Sequence, residues 1–173
     1  MTMTSSFPEE VVTEAKVRLV DLPSGTFALI TLDNGRDHTR PSTFGPAGLA
    51  SLSNAFDAAI ATPGVVAIGV TGKPFVFAVG ADLSAIGVVN DPTVIRSFAK
   101  LGHDVFRKFA ESTVPTFAFV NGAAMGGGLE LALHCHYRTV DASAAGLSLP
   151  EVFLGIVPGW GGAWILPNLI GPQ

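Results

Sequence analysis

The sequence has little charge, a single cysteine and no long apolar run, and each scarcity excludes a class of protein. Charged residues make up 14% of the 173 residues and hydrophobic residues 48%, whereas about 25% charged residues is usual for a soluble domain. The net charge of −4 provides no basic surface for nucleic acid. No apolar run approaches the roughly 20 residues of a membrane-spanning helix. Because Cys135 has no second cysteine to pair with, a reducing compartment is expected, with the cytoplasm as the default location.

The length of the chain suits one domain with its own core. We expect residues 1–15 to be a polar N-terminal lead and residues 16–173 to form the domain. Strands are predicted at residues 16–22, 26–33, 65–71, 115–120, 136–141 and 146–149, the first two as a hairpin. Helices are predicted at residues 49–60, 92–113, 125–134 and 160–171, the second capped by Asp91 and started by Pro92. This alternation predicts an α/β fold with a mainly parallel sheet, on which ligands bind beyond the carboxyl ends of the strands.

Two glutamates lie in apolar, glycine-rich segments where a solvated surface charge is unusual. Glu130 ends residues 121–130 (NGAAMGGGLE), and Glu151 lies in residues 147–155 (LSLPEVFLG), shortly before residues 158–162 (PGWGG). Burial raises the pKa of a carboxyl group, and a neighbouring carboxylate raises one pKa of the pair further. Such a pair can supply a general acid and a general base at neutral pH.

Two glycine-rich turns present backbone N–H groups that could bind an oxyanion. Residues 77–83 (FAVGADL) follow the third predicted strand, and residues 126–128 (GGG) open the helix after the fourth. Amides that converge from separate turns are the parts of an oxyanion hole, although close strand–helix packing also explains isolated glycine clusters. Residues 126–128 lack the register of a dinucleotide-binding loop, and Gly72-Lys73 lacks the earlier glycine of a phosphate-binding loop. Residues 146–150 end in proline where a serine nucleophile motif needs glycine.

A metal site is not expected. His134, Cys135 and His136 are too close together in sequence to face one ion from a regular element, and no suitable partner ligands are evident. We therefore expect structural roles for all three, and we expect Asp82 to cap a helix rather than to act as a catalytic acid.

The three glycine- and glutamate-containing motifs resemble those of the enoyl-CoA hydratase/isomerase (crotonase) superfamily. They occur in the family's order, and the segments at 149–155 and 158–162 look most like the hydratase domain that opens multifunctional fatty-acid β-oxidation α-subunits. The resemblance implies a crotonase-like (ClpP/crotonase) ββα superhelix. Such domains continue into C-terminal helices, so the resemblance also implies that the helical part of this chain is truncated.

The resemblance assigns roles to particular residues. It implies that Glu130 activates water, that Glu151 protonates the α-carbon, and that the amides of Ala81 and Gly127 form the oxyanion hole. It further implies substrate contacts from Ala78, Gly80, Asp82, Gly126, Gly128, Gly159 and Trp160. The coenzyme A thioester would be the substrate, with no cofactor and no metal.

The loop at residues 34–44 (NGRDHTRPSTF) departs from the family pattern at a place where relatives contact coenzyme A. Arg36, Arg40 and Lys73 are candidates for phosphate or adenine contacts. The predicted activity is enoyl-CoA hydration, with a double-bond isomerase or a partner-dependent fragment as alternatives. The expected partners are acyl-CoA and either further copies of the chain or a larger β-oxidation polypeptide.

Overall fold

The computed structural model describes residues 10–82 and 91–172. The elements, in chain order, are β1 (Glu14–Leu22), β2 (Gly25–Asp33), α1 (Pro46–Ala61), β3 (Val65–Gly72), β4 (Phe75–Val79), α2 (Pro92–Ala110), β5 (Thr116–Val120), β6 (Gly122–Met125), α3 (Gly127–His134), β7 (Tyr137–Val140), β8 (Leu147–Ser148), a 3₁₀ helix (Pro150–Leu154) and α4 (Gly162–Ile170). None of these helices is both long enough and apolar enough to cross a membrane.

A five-stranded sheet in the order β1-β2-β3-β5-β7 forms the larger layer. β1 and β2 pair antiparallel, which confirms the predicted hairpin, and every other pairing in this sheet is parallel. One face of the sheet buries Ile30, Ile68, Val70 and Ala118 in the core shared with α1 and α2. The predicted α/β fold with a mainly parallel sheet is therefore confirmed.

A second, three-stranded parallel sheet in the order β4-β6-β8 lies beyond the first. The sequence did not predict β4 or β6, because these strands have 5 and 4 residues and follow β3 and β5 almost without a break. The Asn121 side chain, between β5 and β6, connects its own turn to the turn between β3 and β4. Its amide donates to the carbonyls of Gly72 at 3.0 Å and Lys73 at 2.8 Å. Both glycine-rich turns consequently follow strands of the second sheet, β4 and β6, rather than β3 and β5.

The helix starts depend on side chains outside the helices. The Asp91 carboxylate accepts a hydrogen bond from the N–H of Thr93 at 2.8 Å, which confirms the predicted cap of α2. α1 begins after Gly45, which has no capping side chain of its own. The Glu10 carboxylate supplies the cap instead, accepting from the N–H groups of Gly45, Ala47 and Gly48 at 2.8–3.1 Å. Residue 10, within the predicted polar lead, thus contacts the domain, while residues 1–9 lie outside the described part.

Candidate active site

Glu130 is buried in the first turn of α3 and is held by the backbone of another segment. Its side chain is 2% exposed, and its Oε1 accepts hydrogen bonds from the N–H groups of Trp160 and Gly162, both at 2.8 Å. Burial raises the pKa of this carboxyl; the N–H groups of Gly162 and Trp160 oppose that rise, and the charge of Glu151 adds to it. The two hydrogen bonds fix the orientation of the carboxylate, and the hydrogen bonds found among the described residues leave Oε2 unused.

Glu151 lies in the 3₁₀ helix and packs against the start of α3. It is 8% exposed, and its Oε2 is buried without a hydrogen-bond partner among the described residues. A Cβ added to Gly126 would lie 2.6 Å from Glu151 Oε1, so the glycine makes room for this carboxyl group. Glu151 is therefore next to the residue that precedes α3, the helix that contains Glu130. A buried carboxyl oxygen without a partner is costly, and it suits a place where a ligand or water completes the hydrogen bonding.

The backbone at Ala81 directs its N–H away from the strand segment beside it. Phe44 and Ala81 form a parallel bridge in which the N–H of Phe44 donates to the Gly80 carbonyl at 3.0 Å and the N–H of Asp82 donates to the Phe44 carbonyl at 2.9 Å. In a parallel ladder the residue between these two bonded groups points its own N–H to the opposite side. That side faces β6, which pairs with β4 and leads into α3.

Gly127 supplies a second N–H at the same place. As the first residue of α3, it has no intrahelical acceptor for its N–H, which lies at the positive end of the helix dipole. The position of a Cβ on Gly127 is 3.6 Å from the carbonyl carbon of Gly80, the atom bonded to the nitrogen of Ala81. The two amides named from the sequence therefore lie on adjacent stretches of backbone.

Glycine is required at several positions around these amides. Gly80 and Gly126 have φ angles of 62° and 51°, in the left-handed region that favours glycine. A Cβ on Gly128 would lie 1.9 Å from the carbonyl oxygen of Ala78, so α3 approaches β4 as closely as backbone allows. The glycine cluster thus provides both close packing and helix-start amides without intrahelical acceptors, the two explanations that the sequence left open.

Trp160 is the residue around which the site is packed. Its ring is 5% exposed and fits between two glycines: a Cβ on Gly102 of α2 or on Gly127 of α3 would lie 2.3 Å from the indole. The rings of Phe44, Phe98 and Phe106 surround it at centroid distances of 5.3–6.4 Å. The side chain therefore belongs to the core next to the start of α3, while its backbone N–H donates to Glu130.

The family model of enoyl-CoA hydratase/isomerase matches residues 24–173. The chain belongs to the enoyl-CoA hydratase/isomerase family. It is 43% identical over 124 residues to the fatty acid oxidation complex subunit alpha of Idiomarina loihiensis and 39% identical over 158 residues to that of Shewanella loihica. Those matches cover 71% and 84% of this chain but 17% and 22% of the two relatives. The chain thus spans about a fifth of the length of these curated relatives.

A solved enoyl-CoA hydratase from Thermoplasma volcanium has the same fold. Its TM-score is 0.78 at 30% sequence identity, over 90% of this chain and 59% of that one. This similarity confirms the predicted crotonase-like fold, and the family match confirms the resemblance drawn from the sequence motifs.

Most of the predicted site residues lie around the start of α3, whereas Gly159 and Asp82 lie apart from it. Those gathered around the start of α3 are Ala78, Gly80, Ala81, Gly126, Gly127, Gly128, Glu130 and Glu151. Gly159 is exposed and lies in the segment that precedes the N–H of Trp160. Asp82 is half-buried, and a helix that it would cap falls on residues 83–90, outside the described part.

Three residues discussed in the sequence analysis are buried and make hydrogen bonds within the chain. Lys73 is buried with its ammonium bonded to loop oxygens, so the prediction that it contacts a phosphate is wrong. His134 lies against the carbonyl of Glu130 at 2.9 Å, and Cys135 against that of Leu131 at 3.6 Å. Within residues 10–82 and 91–172, no three metal-binding side chains lie together.

The sequence did not reveal the donors to Glu130. The N–H groups of Trp160 and Gly162 belong to residues 158–162 (PGWGG), for which the sequence indicated only a resemblance to a family motif. A signal was present in Gly102, an isolated glycine in the helical pattern of α2, since such a glycine often marks close packing. Its partner, the Trp160 ring, could not be identified without the fold.

Proposed function

We propose that the chain adds water to the double bond of a trans-2-enoyl-CoA, giving a 3-hydroxyacyl-CoA, as a step of fatty-acid β-oxidation. The observation that supports this most is the pair of buried carboxyl groups at the start of α3. One of them, Glu130, is oriented by two backbone N–H groups, and the other, Glu151, has a buried oxygen without a partner among the described residues. The relatives named as fatty acid oxidation subunits support the pathway.

In this proposal the amides of Ala81 and Gly127 bind the thioester oxygen. Attack of water at the β-carbon moves the electrons of the double bond onto that oxygen, so negative charge develops there. Two N–H groups fixed by the Phe44–Ala81 bridge and by the helix start need little reorganisation to stabilise this charge. Loss of one such donor typically lowers kcat by about 10²–10³-fold.

Glu130 takes the proton of the attacking water. A pKa raised by burial makes a carboxylate a stronger base, closer to the working pH of a proton acceptor. With Oε1 bonded to Trp160 and Gly162, Oε2 is the oxygen that receives the proton.

Glu151, acting in its acid form, then donates its proton to the α-carbon, which restores the carbonyl. Proton exchange with water afterwards removes the proton from Glu130 and returns one to Glu151, so both carboxyl groups regain their starting forms. The reaction balances with the thioester and one water molecule, so the proposal includes no cofactor and no metal. Both carboxyl groups are packed against the same helix start, which is consistent with addition of the hydroxyl and the proton to one face of the double bond.

The test is the loss of enoyl-thioester absorbance with crotonyl-CoA as substrate. We expect Glu130→Gln and Glu151→Gln each to lower kcat by about 10²–10⁴-fold. Glu111→Gln is the matched control, because Glu111 is exposed and pairs with Arg107 on the surface of α2. Normal hydration by Glu130→Gln contradicts the assignment of the base. Retained double-bond isomerisation without hydration in that variant assigns isomerase chemistry to Glu151.

We further propose that activity depends on an additional protein surface, from another copy of the chain or from a larger polypeptide. Large apolar side chains that directly follow Glu151 in the chain are exposed, among them Phe153 at 89% and Val157 at 74%, and Trp164 of α4 is 75% exposed. Exposed apolar side chains gathered in one part of a chain are typical of contacts between proteins. Specific activity that rises with protein concentration, in parallel with the mass measured by sedimentation, supports assembly; concentration-independent activity of a monomer contradicts it.

A further inference from the structure

Lys73 is a buried lysine whose ammonium group is enclosed by one loop. The residue lies in the turn between β3 and β4 and is 6% exposed. Its Nζ donates to Oδ1 of Asn34 at 2.5 Å and to the carbonyl oxygens of Arg36, Asp37 and Arg40 at 2.8, 3.0 and 2.7 Å. All these partners are uncharged oxygens, and all belong to the loop that leaves β2.

These hydrogen bonds determine the path of a loop that has no regular structure of its own. Burying an ammonium group is expensive unless it is fully hydrogen-bonded, so the four acceptors and Lys73 stabilise one another. The Asn34 side chain adds a second tie, since its amide donates to the carbonyls of Arg40 and Pro41 at 3.3 and 3.0 Å. The loop is therefore fixed at both its start and its end.

The end of the loop continues directly into the strand segment beside the proposed oxyanion hole. The Ser42 carbonyl accepts from the N–H of Val79 at 2.8 Å, and Phe44 exchanges hydrogen bonds with Gly80 and Asp82. This segment thus sets the position of the backbone around Ala81. Lys73 fixes the loop, the loop places Phe44, and Phe44 holds the two residues that flank Ala81.

We propose that Lys73 is a positioning residue that aims the Ala81 N–H at the thioester oxygen through the loop and the Phe44–Ala81 bridge. The proposal rests on the proposed hydratase function, because it assigns Lys73 to the oxyanion hole of that site. Lys73 itself does not bind substrate in this proposal, because all the N–H groups of its ammonium donate to oxygens of the chain. The side chains of Arg36 and Arg40, by contrast, belong to exposed residues of the same loop.

The experiment compares Lys73→Met with Asn34→Ala, which loosens the same loop and leaves the buried cation in place. Lys16→Met is the control, because Lys16 is an exposed lysine bound to Asp33 at the start of that loop. Two quantities are measured in the 173-residue chain: hydrogen exchange at the amides of Phe44 and Asp82, and the red shift in absorbance of a conjugated enoyl-CoA on binding. The red shift reports how strongly the carbonyl is polarised.

We expect exchange at Phe44 and Asp82 to accelerate at least about tenfold in both loop variants, while amides of β3 such as Val70 keep their wild-type rates. The red shift should fall, with affinity for the CoA ester within about twofold of wild type. Where the variant chain turns over, kcat should fall about 10²-fold, the effect of misplacing a group by about 1 Å.

Several results overturn the proposal. These are unchanged exchange in both variants, the same acceleration in Lys16→Met, equal acceleration throughout β3, or lost affinity with an unchanged red shift. The last result assigns Lys73 to substrate binding. A wild-type chain that binds the enoyl-CoA without any red shift argues against the proposed function instead, and the exchange rates still decide whether Lys73 positions Ala81.

Discussion

Replacing Gly128 by alanine should separate α3 from β4 and so disturb both stability and catalysis. A Cβ at this position would lie 1.9 Å from the Ala78 carbonyl oxygen, a distance that real Cβ atoms do not adopt. The helix and strand must therefore move apart by roughly 1 Å, and neither contact atom belongs to a flexible side chain.

The size of the effect follows from that displacement. Overpacking of this kind costs about 1–3 kcal/mol, and each kcal/mol lowers the Tm of a 150–250-residue domain by about 2–4 °C. We expect the Tm of Gly128→Ala to fall by about 2–12 °C. Because α3 contains both Gly127 and Glu130, the same movement should lower kcat by about 10²-fold.

The assay pairs thermal unfolding, followed by circular dichroism, with hydration kinetics. Gly159→Ala is the stability control, because a Cβ there meets nothing closer than the Val157 carbonyl oxygen at 3.8 Å. The close approach of α3 to β4 is refuted if Gly128→Ala melts at the temperature of Gly159→Ala and retains wild-type kcat.

Two further predictions concern buried titratable groups. The folded-state pKa of Glu130 is raised from its ordinary value of 4.5 by burial, so its ionised form destabilises the native state at neutral pH, and this cost disappears as the pH falls through the raised pKa towards 4.5. At pH 7–8 the Tm of Glu130→Gln should therefore be at least as high as that of the wild type, and the difference should shrink towards about pH 4. A difference in Tm that grows on acidification contradicts the direction of the pKa shift. Burial raises the pKa of the Cys135 thiol to about 12, so at pH 8 a thiol reagent should label it only in denaturant, and rapid labelling of the native chain would show that the thiol is accessible.

The parts of the fold that were predictable have strong periodicity or distinct start signals. α2 combines helical spacing with the Asp91 cap, and β3 is a continuous apolar run, so both could be located from local sequence. β4 (FVFAV) and β6 (GAAM) could not, because apolar runs of five and four residues are too short for their periodicity to distinguish a strand from a buried helical turn. Their existence depends on pairing with each other and with β8, which is a long-range contact.

In the candidate site, too, some residues could be identified from local sequence and others only from the fold. The chemical types and order of Glu130 and Glu151 identified them as a pair, whereas the donors that orient Glu130 come from a segment about thirty residues later in the chain. Lys73 was a candidate for phosphate or adenine contacts for a related reason. A lysine beside a flexible-looking loop suggests a solvated or ligand-binding cation, and only the fold shows that the loop carbonyls enclose it.

The most direct test of the central claim is the product formed from crotonyl-CoA by the chain in deuterium oxide, analysed by nuclear magnetic resonance. Glu130, Glu151 and the two amides predict a 3-hydroxyacyl-CoA with one deuterium at the α-carbon, on the same face as the new hydroxyl. Absence of this product under conditions in which the chain is folded and binds the thioester, or a shifted double bond in its place, contradicts the account.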